Sequence, residues 1–425
     1  MQVDKFLEKH GIRSADVDIQ QLVELFTAEM QKGLEGTDSS LQMIPTYIEA
    51  DNEFLIEVPV VAIDAGGTNF RAAKAKFSKQ GGLELEDMVN AGMPGLDREV
   101  SKKEFFSSLA DNIRSHVAEC DRIGFCFSYA TEIFPNKDGK LLYFSKEVQA
   151  PGVVGEMIGE SLLEALGTPE KHIVLLNDTV ATLLAGKAAS LGKEYDSFIG
   201  FILGTGTNTC YIESNSNILK KSELDRSKSQ IINIESGNFG IKPRTDIDVA
   251  FDNTMADPGK YTFEKMFAGG YLGGLCLHAL KTAADEGVFT RSAGKILSLQ
   301  QLTTEDVNNY LVNKGADRGP LQACIEDSSE EEACIKILES LIDRAALLVA
   351  ANLAAVVLKT GKGKSPERPI MITIEGTTFY KLRNLRTLFE KYFSGYLNGE
   401  NKRYCEFTEV PGSSLAGAAL AGLIT

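Results

Sequence analysis

Several features that would narrow the function of a chain are missing from this sequence of 425 residues. Basic residues are outnumbered by acidic ones, 44 to 59, and the formal charge of −15 argues against general affinity for nucleic acid or anionic lipid, since both need a basic face. A local basic cleft is still compatible with that charge. Proline and serine are not in excess, and 43% hydrophobic with 24% charged residues is near the globular average, which excludes a largely disordered chain.

Metal-binding cysteine motifs, a secretion signal and an obvious membrane span are missing as well. The cysteines are scattered, without a CxxC or the Cys/His spacing of a zinc site, so we expect free, mostly buried thiols in a reducing compartment. The N-terminus has charges where a signal peptide needs an apolar segment. The longest apolar run, 345–358, is too short to span a bilayer and contains Asn352. These absences predict a cytoplasmic protein with no nucleic-acid or membrane partner.

The apolar pattern that is present predicts strands alternating with helices. A chain of 425 residues favours two domains. Helices are predicted at 154–166 and from Ile19 to a stop at Gly33. Strands are predicted at 60–63, 71–77, 123–129 and 172–176. The alternation indicates an α/β fold, in which ligands gather at the carboxyl ends of the strands.

Two glycine-rich turns follow the same pattern. The stretch VVAIDAGGTNFRAAKAKF, 60–77, has an apolar run, a glycine turn ending in Thr-Asn and a second run, and 198–213 repeats this order around GTGTNT. A single Gly-Gly pair would most simply supply positive φ in a hairpin. Two such turns suggest a duplicated hairpin in two related domains facing one ligand. Because such turns let backbone N–H groups approach phosphate oxygens, and Asp64 at a strand end suits a hydrated Mg²⁺, they predict a nucleotide phosphate site.

Polar residues elsewhere offer groups for catalysis and for recognition. Asp178 follows a buried strand, where α/β enzymes expose catalytic groups, although it could equally cap a helix running to about Ala189. The other candidates, each unremarkable alone, are Ser128, Lys146, Asn177, Asn208, Glu235 and Glu264. Together they supply the amide, hydroxyl and carboxylate groups that hydrogen-bond a polyhydroxylated molecule. The glycine pairs at 269–270 and 273–274 are compatible with either hinge or packing roles.

Successive segments of the chain resemble the signature segments of the eukaryotic-type hexokinase family, glucokinases included. They are VVAIDAGGTNFR, LLNDTVATLLAG, GFILGTGTNTCYIE, NIESGNFG and DPGKYTFEKMFAGGYLGGL, preceded by SLQMIPTYI at 40–48. The likeness runs in order from about Phe26 to GAAL at 417–420 and is highly specific. It implies an actin-like ATPase fold of two ribonuclease-H-like domains with a central cleft. It also implies ATP-dependent phosphorylation of a hexose at its 6-hydroxyl, the first step of glycolysis.

The resemblance implies a role for individual residues. Asp178 would be the general base that accepts the hydroxyl proton, and Lys146 would be the second catalytic residue. Glucose and related hexoses would be held by Ser128, Ser145, Lys146, Asn177, Asp178, Asn208, Glu235 and Glu264. ATP would be held by Asp64, Gly66, Gly67, Thr68, Asn69, Arg71, Gly204, Thr205, Gly376 and Thr377. Asp64 would also bind Mg²⁺, through water.

The resemblance implies a domain plan too. A small domain, 60–177 plus 414–425, would carry the first phosphate loop and the sugar loop. A large domain, 1–59 plus 178–413, would carry the second phosphate loop, the adenosine loop and the sugar-binding glutamates. The chain resembles one catalytic unit rather than the duplicated form.

The sequence departs from the family pattern in several places. Because tryptophan is absent, the family's WTK and EWG become FSK at 144–146 and ESG at 235–237, and its FSFP becomes FSYA at 127–130. In the adenosine loop Glu375 replaces the usual Asp, with one residue more before Tyr380. None of these changes removes a group that does chemistry. They bear on sugar preference and affinity.

Two other classes of protein would share part of this pattern. A sugar-binding sensor would keep the cleft without turnover, but it would be free to lose Asp178, Asp64, Lys146 or a phosphate loop, all of which are intact. A polymerising actin-like ATPase would share the phosphate loops without the sugar-binding series. The sequence does not specify the preferred hexose, product inhibition, a donor other than ATP, or the oligomeric state.

Overall fold

The computed structural model describes residues 2–49, 52–79, 82–144, 148–190, 192–240, 244–313 and 318–424. The strands are β1 (Ile44–Pro45), β2 (Val60–Gly66), β3 (Asn69–Phe77), β4 (Leu83–Gly92), β5 (Arg122–Phe127), β6 (Ala130–Ile133), β7 (Gly139–Tyr143), β8 (His172–Leu176), β9 (Ser197–Leu203), β10 (Thr207–Ser214), β11 (Ser229–Asn233), β12 (Ile370–Glu375) and β13 (Cys405–Thr408). The helices are α1 (Gln2–Lys9), α2 (Ile19–Glu35), α3 (Lys102–Glu119), α4 (Ile158–Leu166), α5 (Asp178–Ala189), α6 (Asp246–Asp252), α7 (Leu272–Asp285), α8 (Ala293–Ser298), α9 (Thr304–Val312), α10 (Pro320–Cys324), α11 (Ser328–Thr360), α12 (Thr377–Lys381), α13 (Leu385–Tyr396) and α14 (Ser413–Leu423).

Two sheets of the fold share one strand order. The first sheet runs β4-β3-β2-β5-β8, and the second runs β11-β10-β9-β12-β13 with β1 added beside β11. In each sheet three consecutive strands pair antiparallel, and two later strands continue the sheet in parallel from the first of them. The two predicted glycine-turn hairpins are β2–β3 and β9–β10, which occupy equivalent positions. The fold is therefore α/β with two related domains, as predicted.

Helices α5 and α14 lie between the two sheets. Gly417 of α14 approaches α5 so closely that a Cβ there would stand 2.0 Å from the carbonyl oxygen of Ala181. A Cβ on Gly124 of β5 would stand 1.7 Å from the carbonyl oxygen of Ala418, and Gly200 of β9 faces α5 in the same way. Backbones can come this close only where a residue has no side chain. The C-terminal helix thus packs on the first sheet, and α5 packs on the second.

The apolar residues form three buried clusters that follow this arrangement. One covers the first sheet with α3 and α4, the largest surrounds the second sheet and α11, and the third lies around α5 and α14. Among the described residues, α11 alone is long and apolar enough to cross a membrane, and 89% of its most apolar window is buried inside the protein. It is the central core helix of the second domain.

Two helix boundaries differ from those predicted. Helix α4 begins at Ile158 rather than 154, because Gly155 adopts a φ of 88° that no helix continues through. Helix α2 does not stop at Gly33; it ends at Glu35, where Gly36 takes the left-handed conformation. A Cβ on Gly33 would stand 2.5 Å from the Leu41 carbonyl oxygen, so that glycine serves packing. The cysteines are free thiols and all but Cys405 are buried, as predicted.

Candidate active site

The first predicted phosphate loop is the turn between β2 and β3. Asp64 and Arg71 are register partners across the hairpin, and Arg71 Nη1 lies 3.8 Å from Asp64 Oδ2. The Asp64 side chain is only 13% exposed, whereas that of Arg71 is half exposed. Gly67 turns the chain with a φ of 68°, a conformation that glycine adopts without strain. The loop thus brings a carboxylate and a guanidinium together at the carboxyl end of β2.

The FSYA segment after β5 supports this loop. A Cβ on Gly66 would stand 3.1 Å from Ser128 Oγ, so the glycine allows the serine to come close. Tyr129, which sequence reasoning did not assign to the site, donates from its buried hydroxyl to the Gly67 carbonyl oxygen at 2.8 Å. Its ring also packs edge-on against Phe144. The only sequence signal for this role was the departure from FSFP.

The other residues of the first loop, Thr68 and Asn69, make few contacts that bear on their predicted roles. Thr68 accepts a hydrogen bond at its carbonyl oxygen from Met93 N, at 3.0 Å, and Asn69 begins β3 with an exposed side chain. Ser145 and Lys146 lie outside the described residues, so their predicted sugar and catalytic roles stay predictions.

The second phosphate loop, after β9, packs against the glycine pair at 269–270. Gly269 N donates to the Gly204 carbonyl oxygen and Gly270 N donates to that of Thr205, each at 2.8 Å. A Cβ on Gly270 would stand 2.9 Å from the Thr205 carbonyl oxygen. Of the hinge and packing roles left open by the sequence, the contacts of this pair favour packing.

The adenosine loop, between β12 and α12, reaches the same point. Thr378 Oγ1 donates to the Gly204 carbonyl oxygen at 2.9 Å. Gly376 has a φ of 119°, and a Cβ there would stand 2.2 Å from the Leu203 carbonyl oxygen. Thr377 follows as the first residue of α12. Parallel pairing of β9 with β12 therefore brings together two loops that are about 170 residues apart in sequence.

Asn177 and Asp178 stand at the start of α5. Asn177 is the N-cap residue, and its Oδ1 accepts from Thr179 N at 2.9 Å. Asp178 is the first residue within the helix, and its Oδ1 also accepts from Thr179 N, at 2.8 Å. Of the two roles that the sequence left open for Asp178, capping therefore falls to its neighbour. A carboxylate in the first turn is favoured by the positive end of the helix dipole.

Three residues at the ends of β10 and β11 form a hydrogen-bonded group. Asn208 Nδ2 donates to Asn233 Oδ1 at 2.8 Å and to Glu235 Oε1 at 3.2 Å, and Asn233 Nδ2 donates to the same Glu235 oxygen at 2.8 Å. Glu235 adopts a left-handed φ of 58°, a strained conformation that is most often found at functional sites. Burial raises the pKa of Glu235, and the negative charge of Asp178 raises it further. Sequence reasoning missed Asn233, although it stands within the NIES segment.

Glu264 is held against the second phosphate loop. Its Oε2 accepts from Thr207 N at 2.8 Å, and Cβ atoms on Gly206 and Gly237 would stand 2.7 and 3.1 Å from that oxygen. Burial raises the pKa of Glu264 to about 7, and the charge of Glu235 contributes in the same direction. The two predicted sugar-binding glutamates therefore lie within electrostatic reach of each other.

Cys126 of β5 stands between the strands that carry the two carboxylates, since it is the register partner of Asp64 on β2 and of Leu176 on β8, two residues before Asp178. Burial raises the pKa of this thiol well above its usual range, and the charges of Asp64 and Asp178 raise it further. Asp178 also raises the pKa of Glu235. Asp178 directly follows β8, the neighbour of β5, and β5 in turn pairs with β2 of the first phosphate loop.

Glu375, which stands where the family has Asp, joins three elements. Its Oε2 accepts from Thr182 Oγ1 of α5 at 3.1 Å and from Ser413 Oγ of α14. The residue immediately precedes Gly376 of the adenosine loop. The longer glutamate side chain therefore links that loop to both helices that lie between the sheets.

The residues present fit a magnesium ion held mainly by a nucleotide. Among the described residues there is no group of three or more His, Cys, Asp or Glu side chains that could hold a metal. Mg²⁺ seldom needs such a cage, because it usually keeps several waters and takes one or two carboxylates plus substrate phosphates. Asp64, partly exposed at the first phosphate loop, is suited to that arrangement.

A separate cavity of about 520 Å³ is lined by charged residues of the second domain and the N-terminal segment, among them His10, Asp246 and Arg344. His10 Nδ1 lies 2.8 Å from Asp246 Oδ2, and Arg344 donates from both Nη atoms to Asp248. These charged groups pair with one another, which favours a structural role.

The strand order and the two glycine loops define the class of protein. Two domains of the same topology, each with a glycine-turn hairpin, and carboxylates gathered between them are the features of a sugar kinase with the actin-like ATPase fold. Two family models, each described as hexokinase, match residues 2–188 and 198–424. The chain belongs to the hexokinase family and is an ATP-dependent hexose kinase.

Individual relatives agree with this assignment. Hexokinase-1 of Schizosaccharomyces pombe is 30% identical over 370 residues, which cover 81% of this chain and 75% of that protein. Hexokinase-3 of Rattus norvegicus is 30% identical over 383 residues, but these make up 83% of this chain and only 40% of the rat protein. The structure of a Schistosoma mansoni hexokinase complexed with glucose superimposes with a TM-score of 0.78 at 23% identity, covering 99% of this chain and 98% of that one. The last comparison establishes the fold.

Proposed function

We propose that the protein transfers the γ-phosphoryl group of ATP to the 6-hydroxyl of glucose and related hexoses, with Asp178 as the general base. The observation that carries this proposal is the position of Asp178. It is the first residue of α5, directly after β8, and β5 separates β8 from the strand β2 that carries Asp64. Its charge also raises the pKa of Glu235 in the second domain. A base in that position can accept a proton from a sugar bound at the group that contains Glu235, while the phosphate loops hold ATP as the phosphoryl donor.

The sugar is recognised by acceptors and donors that the fold has already oriented. The carboxylates of Glu235 and Glu264 accept hydrogen bonds from hydroxyl groups, and the Asn208 amide, fixed by its bonds to Asn233 and Glu235, contributes a directed polar group. Buried polar groups of this kind discriminate strongly, because an analogue lacking the matching hydroxyl leaves them unpaired. We further propose that Ser128, Ser145, Lys146 and Asn177 complete the sugar site.

The nucleotide is held by the three loops. Residues 66–69 with Arg71 and residues 204–205 bind the phosphates, and Gly376 and Thr377 bind adenosine. Asp64 holds Mg²⁺ through water, and the ion would supply charge neutralisation at the transferring phosphate. The junction of the second and adenosine loops positions these contacts rigidly, which phosphoryl transfer requires more than covalent help.

The domains of the proposal are those implied by the family resemblance. The small domain comprises 60–177 and 414–425, and the large domain comprises 1–59 and 178–413. Closure of one on the other would exclude water, which otherwise competes with the sugar hydroxyl as acceptor. ATP hydrolysis without sugar is therefore expected to be slow. We also propose that the protein acts in the cytoplasm.

A coupled assay for sugar 6-phosphate tests the function directly. Purified protein with Mg-ATP is given glucose, fructose, mannose or glucosamine, beside an Asp178→Ala variant and an Asp111→Ala control that removes an exposed carboxylate of α3. We expect turnover that needs Mg²⁺, falls about 10²–10⁴-fold or more in Asp178→Ala and is unchanged in the control. Glucose binding, followed by calorimetry, should survive in both variants.

Near-normal turnover by Asp178→Ala would refute the assigned base. Turnover by none of the sugars, with glucose binding intact in the parent protein, would instead favour a sugar-binding sensor.

A further inference from the structure

A pair of tyrosines joins the β6–β7 hairpin to the segment that leads to Glu264. Tyr143 Oη and Tyr261 Oη lie 2.8 Å apart, although the residues are 118 positions apart in sequence. Tyr143 ends β7, in the small domain, and its side chain is 46% exposed. Tyr261 lies three residues before Glu264 in the large domain. The hydrogen bond therefore joins the sugar-binding side of one domain to the other.

Tyr261 is attached firmly to the large domain. Its carbonyl oxygen accepts from Lys265 N at 3.0 Å. The Lys265 side chain is 2% exposed, and its Nζ lies 2.8 Å from Asp252 Oδ1 and 2.9 Å from Asp257 Oδ1. Lys265, after the tyrosine, is thus paired with two aspartates before it, which closes the loop from which the tyrosine projects.

The backbone of Tyr261 is also strained. Its φ is 52°, and a bulky residue in the left-handed region is a rare outlier that persists where the surroundings impose it. Burial raises the pKa of the Tyr261 hydroxyl, the bond to Tyr143 adds to this, and so do the charges of Glu235 and Glu264. The residue stands three positions before Glu264, in the segment that carries this candidate sugar ligand.

Tyr143 is equally well fixed on its own side. It pairs with Ala130 at the end of the β6–β7 hairpin. The neighbouring Leu141 N donates to the Glu156 carbonyl oxygen at 3.0 Å, and Gly155 N donates to that of Leu141 at 2.8 Å. Because both partners are held by their own domains, the distance between the two hydroxyls follows the distance between the domains.

We propose that Tyr143 and Tyr261 form a latch across the sugar cleft, and that this hydroxyl pair favours the closed arrangement and so sets the apparent affinity for sugar. The proposal rests on the proposed function. Both tyrosines are positioning residues rather than catalytic ones. A latch that favours closure increases the fraction of protein competent to hold sugar, and the apparent dissociation constant falls in proportion.

A double-mutant cycle tests the latch. Tyr143→Phe, Tyr261→Phe and the double variant each remove hydroxyl groups and keep the rings, so packing is preserved. Tyr195→Phe is the matched control, because it removes a hydroxyl whose bond, to Glu406, stays within the large domain. We expect each single variant to raise the KM and the calorimetric Kd for glucose about 2- to 10-fold, with kcat and the KM for ATP unchanged. The double variant should bind glucose no more weakly than the weaker-binding single variant, since the two hydroxyls act as one unit.

Three results would overturn the latch. Sugar affinity within experimental error of the parent, or equal to that of Tyr195→Phe, would show that the contact does not favour closure. If the fold-changes in glucose Kd of the two single variants multiply in the double variant, each hydroxyl acts alone. A loss of kcat at unchanged glucose affinity would assign the pair a different role.

Small-angle scattering of the sugar-free proteins gives an independent measurement, since loss of the latch should increase the radius of gyration of the double variant. The same radius in parent and double variant would count against the latch. These outcomes are separate from failure of the proposed function, which would appear as absence of sugar phosphorylation by the parent protein.

Discussion

Replacing Glu264 by glutamine should stabilise the protein above neutral pH while weakening its binding of sugar. In the fold the pKa of Glu264 is raised to about 7, chiefly by burial, against an ordinary value of 4.5. A raised carboxyl pKa costs stability where the unfolded chain is ionised, so the cost grows from pH 4.5 upward and is complete above pH 7. The shift corresponds to at most about 3 kcal/mol. Because Glu264 is mostly but not fully buried, solvent screens part of this, and about 1–3 kcal/mol is expected.

Glutamine removes this cost and keeps an oxygen that can accept from Thr207 N. Urea or thermal unfolding at pH 8 should show a higher midpoint for Glu264→Gln than for the parent, and the difference should shrink to less than about 1 kcal/mol at pH 5. Glucose affinity should fall about 10- to 100-fold, since a hydrogen bond to a charged group is worth about 1.5–3 kcal/mol.

The Glu330→Gln variant is a control, because its expected effect on stability has the opposite sign to that of Glu264→Gln. Burial alone would raise its pKa, but hydrogen bonds from Ser292 and from three successive backbone N–H groups outweigh it and lower the pKa to about 2. A lowered carboxyl pKa contributes stability above pH 4.5 that is lost as the pH falls toward 2. Glu330→Gln should therefore lower the unfolding midpoint at pH 8. The reasoning would be refuted if Glu264→Gln were no more stable than the parent at pH 8, or if Glu330→Gln were more stable.

Two further predictions follow from the same contacts. Sugar hydroxyl groups bind best to ionised Glu264, so glucose affinity should increase between pH 6 and 8. Glucose binding near pH 7 should also release protons, which calorimetry in buffers of different ionisation enthalpy measures. A Kd for glucose that is independent of pH would contradict this prediction. Gly269→Ala should raise the KM for ATP and lower the unfolding midpoint, because the new Cβ would stand 2.2 Å from Thr378 Oγ1 and 2.7 Å from the Gly204 carbonyl oxygen. Gly395→Ala, where no atom lies within 4 Å of the new Cβ, is the matched control, and equal behaviour of the two variants would exclude the packing role.

The parts of the site that could be predicted from sequence are those encoded in consecutive residues. A glycine turn between two apolar runs predicts a hairpin, and its repetition predicted the duplicated hairpin in two related domains that the structure shows. The placement of Asp178 after a buried strand was equally readable. Its function was not, because capping and catalysis need the same residue type. Only the backbone of the folded chain showed that Asn177 is the extended residue before the helix, and therefore its cap, while Asp178 is the first residue within it.

Other features depend on contacts between distant segments. Tyr129 supports the first phosphate loop through a bond to Gly67, and Asn233 fixes Asn208 across two neighbouring strands. Both residues stand within segments that resemble the family's signatures, but nothing in those segments assigned either residue a contact. The glycines at 269–270 were ambiguous for the same reason, since a missing side chain shows nothing about which atoms come close.

By itself, then, the sequence determined the family, the α/β class, the duplicated glycine hairpins and the residue types available to bind a sugar and a nucleotide. These depend on local periodicity, turn chemistry and short motifs, all of which act within a few residues. Only the tertiary structure decided how these pieces meet, through the parallel pairing of β9 with β12, the pairing of β5 with β2 and β8, and the contact of Tyr143 with Tyr261. Such contacts join residues that packing brings together, and no spacing along the chain encodes a distance between them.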